Sequence, residues 1–269
     1  MLRGFLTGAF IPFISAGSPV DNVYKDASGL PRHPFLFGLL TPSSLYLVPF
    51  VDVLALKQGN IDDGVNATTA DRIARDLRIA LVHETDSLEA RATEEGFREA
   101  LSRRPTMHVV VNEGVSWKAG RASTADSVTA FNFDCYKGAT RSGQACAGTS
   151  PGWAKVDAVL DAIAAKNAAY RAETDADGAG CGDACAEVDV VVGIVQQAFC
   201  EAFVLKLRER DYFPKALALT GCDLDRLRVA LAAEAAAGTK RFPKTQGAAD
   251  AAFIYTVSQW DKVRLRIRQ

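Results

Sequence analysis

Arg78 to Trp117 alternates short apolar runs with one amphipathic stretch, and the pattern predicts strand, helix, strand. Ile79 to Val82 is an apolar run with polar flanks, as in a strand buried on both faces. Ser87 is placed to cap the following helix, with Glu89 in the first turn where the helix dipole favours an anion. Leu88, Ala92, Gly96, Phe97, Ala100 and Leu101 recur at helical spacing and predict one stripe facing a sheet. Pro105 stops the helix, and Met107 to Val111 is the second buried strand. Two strands joined by a helix form a parallel unit, and ligands of parallel sheets bind beyond the strands' carboxyl ends. Here those ends are His83 to Asp86 and Asn112 to Trp117.

Upstream, Phe10 to Ile14 suggests a strand leading into a Gly-Ser-Pro turn. Pro34 to Val51 is uncharged, but Pro34, Pro42 and Pro49 break it, so two short buried strands with a turn at Thr41 to Ser44 fit better than a membrane span. The second strand is expected to run through Val51 to Leu56, followed by a turn at Gln58 to Gly64 and a helix over Ala67 to Leu77.

Downstream, Phe133 to Ser150 and Glu173 to Glu187 are polar, Gly-rich and Cys-containing. Between them Val156, Val159, Leu160, Ile163 and Asn167 share one helical face, so Phe133 to Glu187 is an elaborated excursion rather than a second domain. Val188 to Val195 predicts a buried strand. Gln196 to Arg210 predicts a helix with Phe199, Ala202, Phe203 and Leu207 inward. Ala216 to Thr220 predicts a strand, Asp225 to Ala237 a helix ended by Gly238, and Ala248 to Gln259 a further helix. Val263, Leu265 and Ile267 alternate with basic residues as in a half-exposed final strand. The class is α/β with a largely parallel sheet flanked by helices.

Composition narrows the partners. The chain has 269 residues, 48% of them apolar, and a net charge of −1, with a pI near 6.3. Neither nucleic acid nor an anionic membrane is favoured by that balance. Met1 to Val20 has a basic start and an apolar middle like a signal peptide, but Pro12 spoils its helix and a strand is preferred. Asn66-Ala67-Thr68 fits a glycosylation acceptor, meaningful only in a secreted protein. The six cysteines, Cys135, Cys146, Cys181, Cys185, Cys200 and Cys222, leave their pairing open. Cys181 and Cys185 form either a loop clip or two free thiols. No His-rich spacing accompanies the cysteines, so no metal and no cofactor are expected. The chain carries no GxSxG, P-loop, GxGxxG after a strand, or HExxH. Cys200 and Cys222 as nucleophiles have no histidine nearby in sequence, and the expectation is a non-enzyme.

The order of elements and several strings resemble the type I periplasmic-binding-protein-like family, in particular its ribose- and galactose-type sugar-binding branch. IALVHETDSLEARATEEGFREAL resembles that branch's strand, loop and helix, with Gly96-Phe97 as its Gly-Phe. VDVVVGIVQQAFCEAFVLKL, ALALTGCD and the closing DKVRLRIRQ resemble later strands and helices, and IPFISAGSP resembles the last strand of the first lobe. The resemblance covers most of residues 10–132 and 188–269. It implies a nearly complete second lobe over 60–246 plus 260–269, with the excursion at 133–187, and a partial first lobe over 1–59 plus 247–259. Relative to the family, few residues precede IPFISAGSP, and the excursion is longer than the usual connection.

Sugar sites need a flat apolar ring and planar polar groups for paired hydroxyls. Trp117 falls where the family places a stacking aromatic; the alternative is a plug for the sheet's end. Asp223 stands in the loop of the family's ligand-binding Asp, and otherwise caps a turn. Gln246 matches an amide at the crossing back to the first lobe. Gln196 lies beside a position normally Asn, which strict alignment gives to Val195. Arg91 lies in the Arg-containing turn, although the family's ligand Arg aligns with Thr93. Asp86 lines the same strand end with His83 and Glu84, where loop and capping roles compete with binding. The family's Asp-Arg pair falls on Gly17 and Ser18, which removes one polar clamp.

The resemblance implies non-enzymatic solute binding. The ligand would be a small polar molecule such as a monosaccharide, with a membrane transporter or receptor as partner and an extracellular or periplasmic-type compartment. The alternative is a structural or accessory subunit of a larger assembly that keeps the fold without the ligand.

Overall fold

The computed structural model describes residues 13–15, 28, 36–38, 41–62, 76–116, 133–140, 144–174, 187–210, 212, 214, 216–222 and 253–256. Phe13–Ser15 (β1) pairs in parallel with Leu36–Gly38 (β2) in a two-stranded sheet. A 3-10 turn at Ser43–Leu45 then leads into helix Val48–Asp62 (α1), where the sequence suggested a strand over Val51 to Leu56 and a turn from Gln58. The helical period was present: Leu47, Phe50, Val51 and Leu54 are all buried, and Asp52 is exposed. Pro49 sits in the first turn, where a missing N–H costs nothing, so it starts the helix rather than breaking it. The expected domain boundary at 59/60 falls inside α1, whose apolar side packs on the main sheet.

Leu77–Glu84 (β3), Leu88–Ser102 (α2) and Met107–Val115 (β4) form the predicted strand–helix–strand unit. β3 begins at Leu77, so the helix expected over Ala67 to Leu77 does not include its last residue, and Ala67 to Arg75 lie outside the described residues. Ser87 caps α2 as expected, its Oγ accepting the Ala90 N–H at 3.2 Å. The buried face is Ala90, Thr93, Gly96, Phe97 and Leu101, whereas Leu88 is 60% exposed. Gly96 sets this phase. A Cβ there would stand 1.8 Å from the Ser44 carbonyl oxygen, so the 3-10 turn rests directly on the helix backbone and turns Leu88 outward.

Cys135–Tyr136 (β5) and Ala139–Thr140 (β6) make a small antiparallel hairpin, followed by helix Pro151–Thr174 (α3). Lys137 and Gly138 both take positive φ, 48° and 83°, the twist a tight hairpin turn requires. Val156, Val159, Leu160, Ile163 and Asn167 are buried on one face of α3, as the spacing predicted. Val190–Ile194 (β7), Gln197–Glu209 (α4), Ala216–Leu219 (β8) and Phe253–Thr256 (β9) complete the described elements. β9 corrects the helix expected over Ala248 to Gln259. It pairs in parallel with β8, so this part of segment 247–259 belongs to the same sheet as β3. The helix over Asp225 to Ala237, the strand at Val263 to Ile267, and Cys181 with Cys185 lie outside the described residues.

The main sheet has five parallel strands in the order β4-β3-β7-β8-β9. One face carries Leu77, Ile79, Leu81, Val190 and Val192 against α1 and α2; the other carries Ala80, Val82, Val191 and Leu217 against α3 and α4. Alternate residues of one strand thus enter two separate cores, which is why the strand sequences are apolar throughout. The architecture is α/β, a parallel sheet flanked by helices.

The Cys-containing excursion docks on the second core. Tyr136 and Trp153 are buried there with ring centres 4.6 Å apart, and the Cys135–Cys146 disulfide closes the hairpin loop. Lys206 of α4, 4% exposed, lies 4.4 Å above the Tyr136 ring. Its Nζ pairs with Asp157 at 2.9 Å and Glu209 at 3.1 Å. Glu209 also accepts from Lys137 at 2.6 Å and from the Tyr136 hydroxyl. These donors hold the Glu209 carboxyl below its usual range against the opposing effect of burial, which is the largest single influence on it.

Two outcomes follow. Gly96→Ala should lose about 2 kcal/mol or more in urea unfolding, because neither backbone can yield; Leu88→Ala should stay within about 0.5 kcal/mol. Lys206→Met should cost about 1 kcal/mol, because Glu209 keeps Lys137 and Asp157 keeps Arg210 at 2.8 Å. In Lys206→Met, hydrogen exchange should speed up in 135–150 more than in β3.

Candidate functional site

Strand order, not strand direction, reverses between β3 and β7: β4 is added on one side of β3, and β8 beyond β7 on the other. The helix after β3, α2, lies on one face and the helix after β7, α4, lies on the other, so the two loops part at the strands' carboxyl ends, where open parallel sheets place their ligands. Glu84, the last residue of β3, stands at that parting. Its Oε1 accepts the Gln196 N–H at 2.5 Å, joining the end of β3 to the residue that precedes α4. Glu84 is 2% exposed. Burial pushes its carboxyl up to about 7, the Gln196 N–H pulls it back, and the nearby Glu89 and Asp86 push it further up.

The loops on either side are held by polar contacts with the backbone. Asp86 accepts the Ser116 hydroxyl at 2.5 Å, and Lys155 of α3 donates to the Ser116 carbonyl at 2.6 Å. Arg91 forks onto the Thr85 carbonyl at 3.1 and 3.0 Å, while the Thr85 N–H bonds the Val115 carbonyl at 3.0 Å. Beyond β8, a Cβ on Gly221 would meet the Val195 carbonyl oxygen at 2.0 Å, so only glycine lets the two loops approach. The buried Cys200–Cys222 disulfide ties the first turn of α4 to the same loop. That bond removes both thiols as candidate nucleophiles.

On the α2 side of β3, His83 faces Glu94 at 3.4 Å, and Glu94 holds Arg98, which reaches Asn112 at 3.0 Å. Burial depresses the His83 imidazole below its usual value; Glu94 opposes that and Arg98 adds to it. Among the described residues no group of three or more His, Cys, Asp or Glu side chains is arranged to hold a metal ion, and no helix is long and apolar enough to cross a membrane.

Of the residues singled out in the sequence, Asp86 and Gln196 lie beyond the ends of neighbouring strands, and Gln196 is exposed. Arg91 lies beside them but its guanidinium is committed to the loop backbone. Trp117, Asp223 and Gln246 lie outside the described residues. Glu84 takes a central place that sequence reasoning gave only to a loop or capping residue. The available signal was its parity: with Ala80 and Val82 it points to the α4 side of the sheet, toward a helix start. Lys155 comes from a helix 39 residues beyond Ser116, and no local pattern announces that contact.

No protein-family model and no curated protein matches the chain. Solved structures do show likenesses. A branched chain amino acid ABC transporter protein from Thermus thermophilus with bound valine is similar at 15% identity and TM-score 0.46, over 86% of this chain and 41% of that one. An extracellular ligand-binding receptor from Verminephrobacter eiseniae is similar at 12% identity and TM-score 0.34, over 80% of this chain and 48% of that one. The chain thus spans less than half the length of either.

The buried Glu84 carboxyl makes stability pH-dependent. Between about pH 4.5 and 7 the folded chain binds more protons than the unfolded one, so Glu84's contribution to stability falls as pH rises through this window. Glu84→Gln keeps an acceptor for the Gln196 N–H and removes the charge. It should raise stability by up to about 3 kcal/mol at pH 8 and leave it unchanged near pH 4. Urea unfolding of both proteins at the two pH values tests this, and an equal difference at both would refute it.

Proposed function

We propose that the chain is a non-enzymatic solute-binding module of the periplasmic-binding-protein type, and that its ligand sits in the crevice between the ends of β3 and β7. The observation that carries this reading is the placement of Glu84, Asp86, Ser116 and Gln196 around the point where the strand order reverses. Open α/β sheets bind their ligands at such points, because there the diverging loops expose polar groups to a shared space. The two cations beside the crevice, Arg91 and Lys155, spend their donors on backbone carbonyls, whereas the carboxylates favour a ligand rich in hydrogen-bond donors. A small saccharide has such donors, with Trp117 as the stacking ring. In this reading the five-stranded sheet with α1 to α4 is one lobe, and the segment before Thr41 belongs to the other.

A membrane transporter or receptor is the fitting partner, since occupancy of a two-lobed binder is reported by closure. The Cys135–Cys146 and Cys200–Cys222 bonds support an extracellular or periplasmic-type compartment, where disulfides persist.

Thermal-shift measurements against mono- and disaccharides test the proposal. A binding sugar should raise the melting temperature of the parent, and Ser116→Ala and Trp117→Ala should each weaken that ligand about tenfold or more. A folded parent that no solute in the panel stabilises would remove the saccharide reading.

A further inference from the structure

A short chain of contacts joins the disulfide-closed hairpin to the loops at the ends of β3 and β4. Cys135, 8% exposed, is bonded to Cys146, which is half-buried in a run where Gln144, Ala145, Ala147, Gly148 and Thr149 are all exposed. Solvent therefore reaches this bond from the Cys146 side. Cys200 and Cys222, the other described pair, are buried at 0% and 3%. The hairpin is clamped to α3 at Cys135: its N–H donates to Ser150 Oγ and its carbonyl accepts the Ser150 N–H, each at 2.7 Å. Ser150 directly precedes α3, and its carbonyl accepts the Trp153 N–H at 3.1 Å. The Trp153 indole N–H donates to the Phe133 carbonyl at 3.2 Å. Two residues on, Lys155 donates to the Ser116 carbonyl at 2.6 Å, and the Ser116 hydroxyl donates to Asp86.

A thiolate attacks the sulfur it can reach, and here that is Cys146 Sγ. Cys135 is then the leaving thiol, and the Gly148 carbonyl oxygen, 3.0 Å from its Sγ, is placed to accept the S–H that forms. The reduced cysteine is thus satisfied where it already lies. We propose that Cys135–Cys146 is a thiol-sensitive switch: its reduction by a small monothiol loosens the end loops of β3 and β4, with the start of α3 as the transmitting element. This deepens the solute-binding reading and rests on it, because those loops carry Asp86 and Ser116. The exchange balances. One thiol forms a mixed disulfide with Cys146 while Cys135 takes its proton, and a second thiol displaces Cys146, which takes the other proton. The two thiols leave as their own disulfide, and the electron pair stays on the two cysteines. Opening the bond returns conformational freedom to the loop between Cys135 and Cys146. The clamp on Ser150 then loses its fixed support, and Lys155 loses its fixed reach to Ser116. Tyr136 and Lys206 keep the hairpin on α4 in both states, so the change is a loosening rather than an undocking.

The test adds reduced glutathione to the oxidised full chain, maps free thiols by alkylation and mass spectrometry, and follows amide exchange by NMR. Cys135 and Cys146 should become alkylated at about a tenfold lower glutathione concentration than Cys200 and Cys222. At that point two amides should each exchange about fivefold or more faster: Cys146, which donates to the Gly138 carbonyl, and Thr85, which donates to the Val115 carbonyl. Leu81, paired on both sides in the middle of β3, should keep its rate and serves as the folding control. The double variant Cys135→Ser/Cys146→Ser should show the fast rates without thiol. Lys155→Gln should quicken Thr85 in the oxidised chain and leave no further rise there on reduction. The proposal is overturned if glutathione opens Cys200–Cys222 first or opens neither pair, or if Cys146 quickens while Thr85 does not. A rise at Thr85 that still needs thiol in the double variant also overturns it, since Cys181 and Cys185 would then be responsible. No solute enters the measurement, so its failure leaves solute binding standing, and a panel in which no solute binds leaves the exchange result unchanged.

Discussion

Both faces of one parallel sheet must be covered, and that constraint organises the rest of the molecule. β3 and β7 lie in the centre, apolar on alternate residues toward two different cores. Since α2 takes one face and α4 the other, the backbone has to part between these strands. Parting exposes N–H groups and carbonyls that the sheet no longer pairs, and buried polar groups without partners are costly. Glu84 answers this at the reversal by accepting the Gln196 N–H, and the Asp86–Ser116 and Arg91–Thr85 contacts do so in the loops around it. The same chemistry that finishes the fold therefore gathers polar groups at the carboxyl ends of these strands.

Elsewhere the chain places charge deep in its helical layer for a different purpose. Lys206, Glu209, Asp157 and Tyr136 join α3, α4 and the hairpin through one buried cluster. Every member has an opposite charge or a hydroxyl within reach, so the cluster fixes the docking of the excursion. Glu84 differs in this respect. It lies among acidic neighbours, and its proton affinity is raised where that of Glu209 is lowered. Two glutamates on one sheet-and-helix scaffold thus have opposite electrostatic settings, one among cations and a hydroxyl, the other among acids.

The unit from β3 to β4 was legible because its signals are local. A capping Ser87, a helical stripe around Phe97 and two apolar runs each have one good structural solution. The face of α3 was legible for the same reason. Where the reading differed, a neighbour distant in sequence decided. Ser44 against Gly96 turned α2 so that Leu88 faces out, and the core under the sheet made a helix of Leu47 to Leu54 despite three prolines in the region. Phe253 to Thr256 became a strand because β8 offered an unpaired ladder.

For the candidate site, the sequence by itself determined the class of place: the carboxyl ends of the parallel strands, with Asp86 and Gln196 among the residues there. Which groups meet was decided only by the tertiary structure. Strand order is a long-range property, set by which apolar faces can be covered together, and it alone brought the residue after β7 against the end of β3. From that adjacency came the burial of Glu84, the largest cause of its raised proton affinity; Glu89 and Asp86 add to it, and the Gln196 N–H opposes it. That burial is not encoded in Glu84 or its neighbours in sequence, because it depends on a residue 112 positions further along the chain.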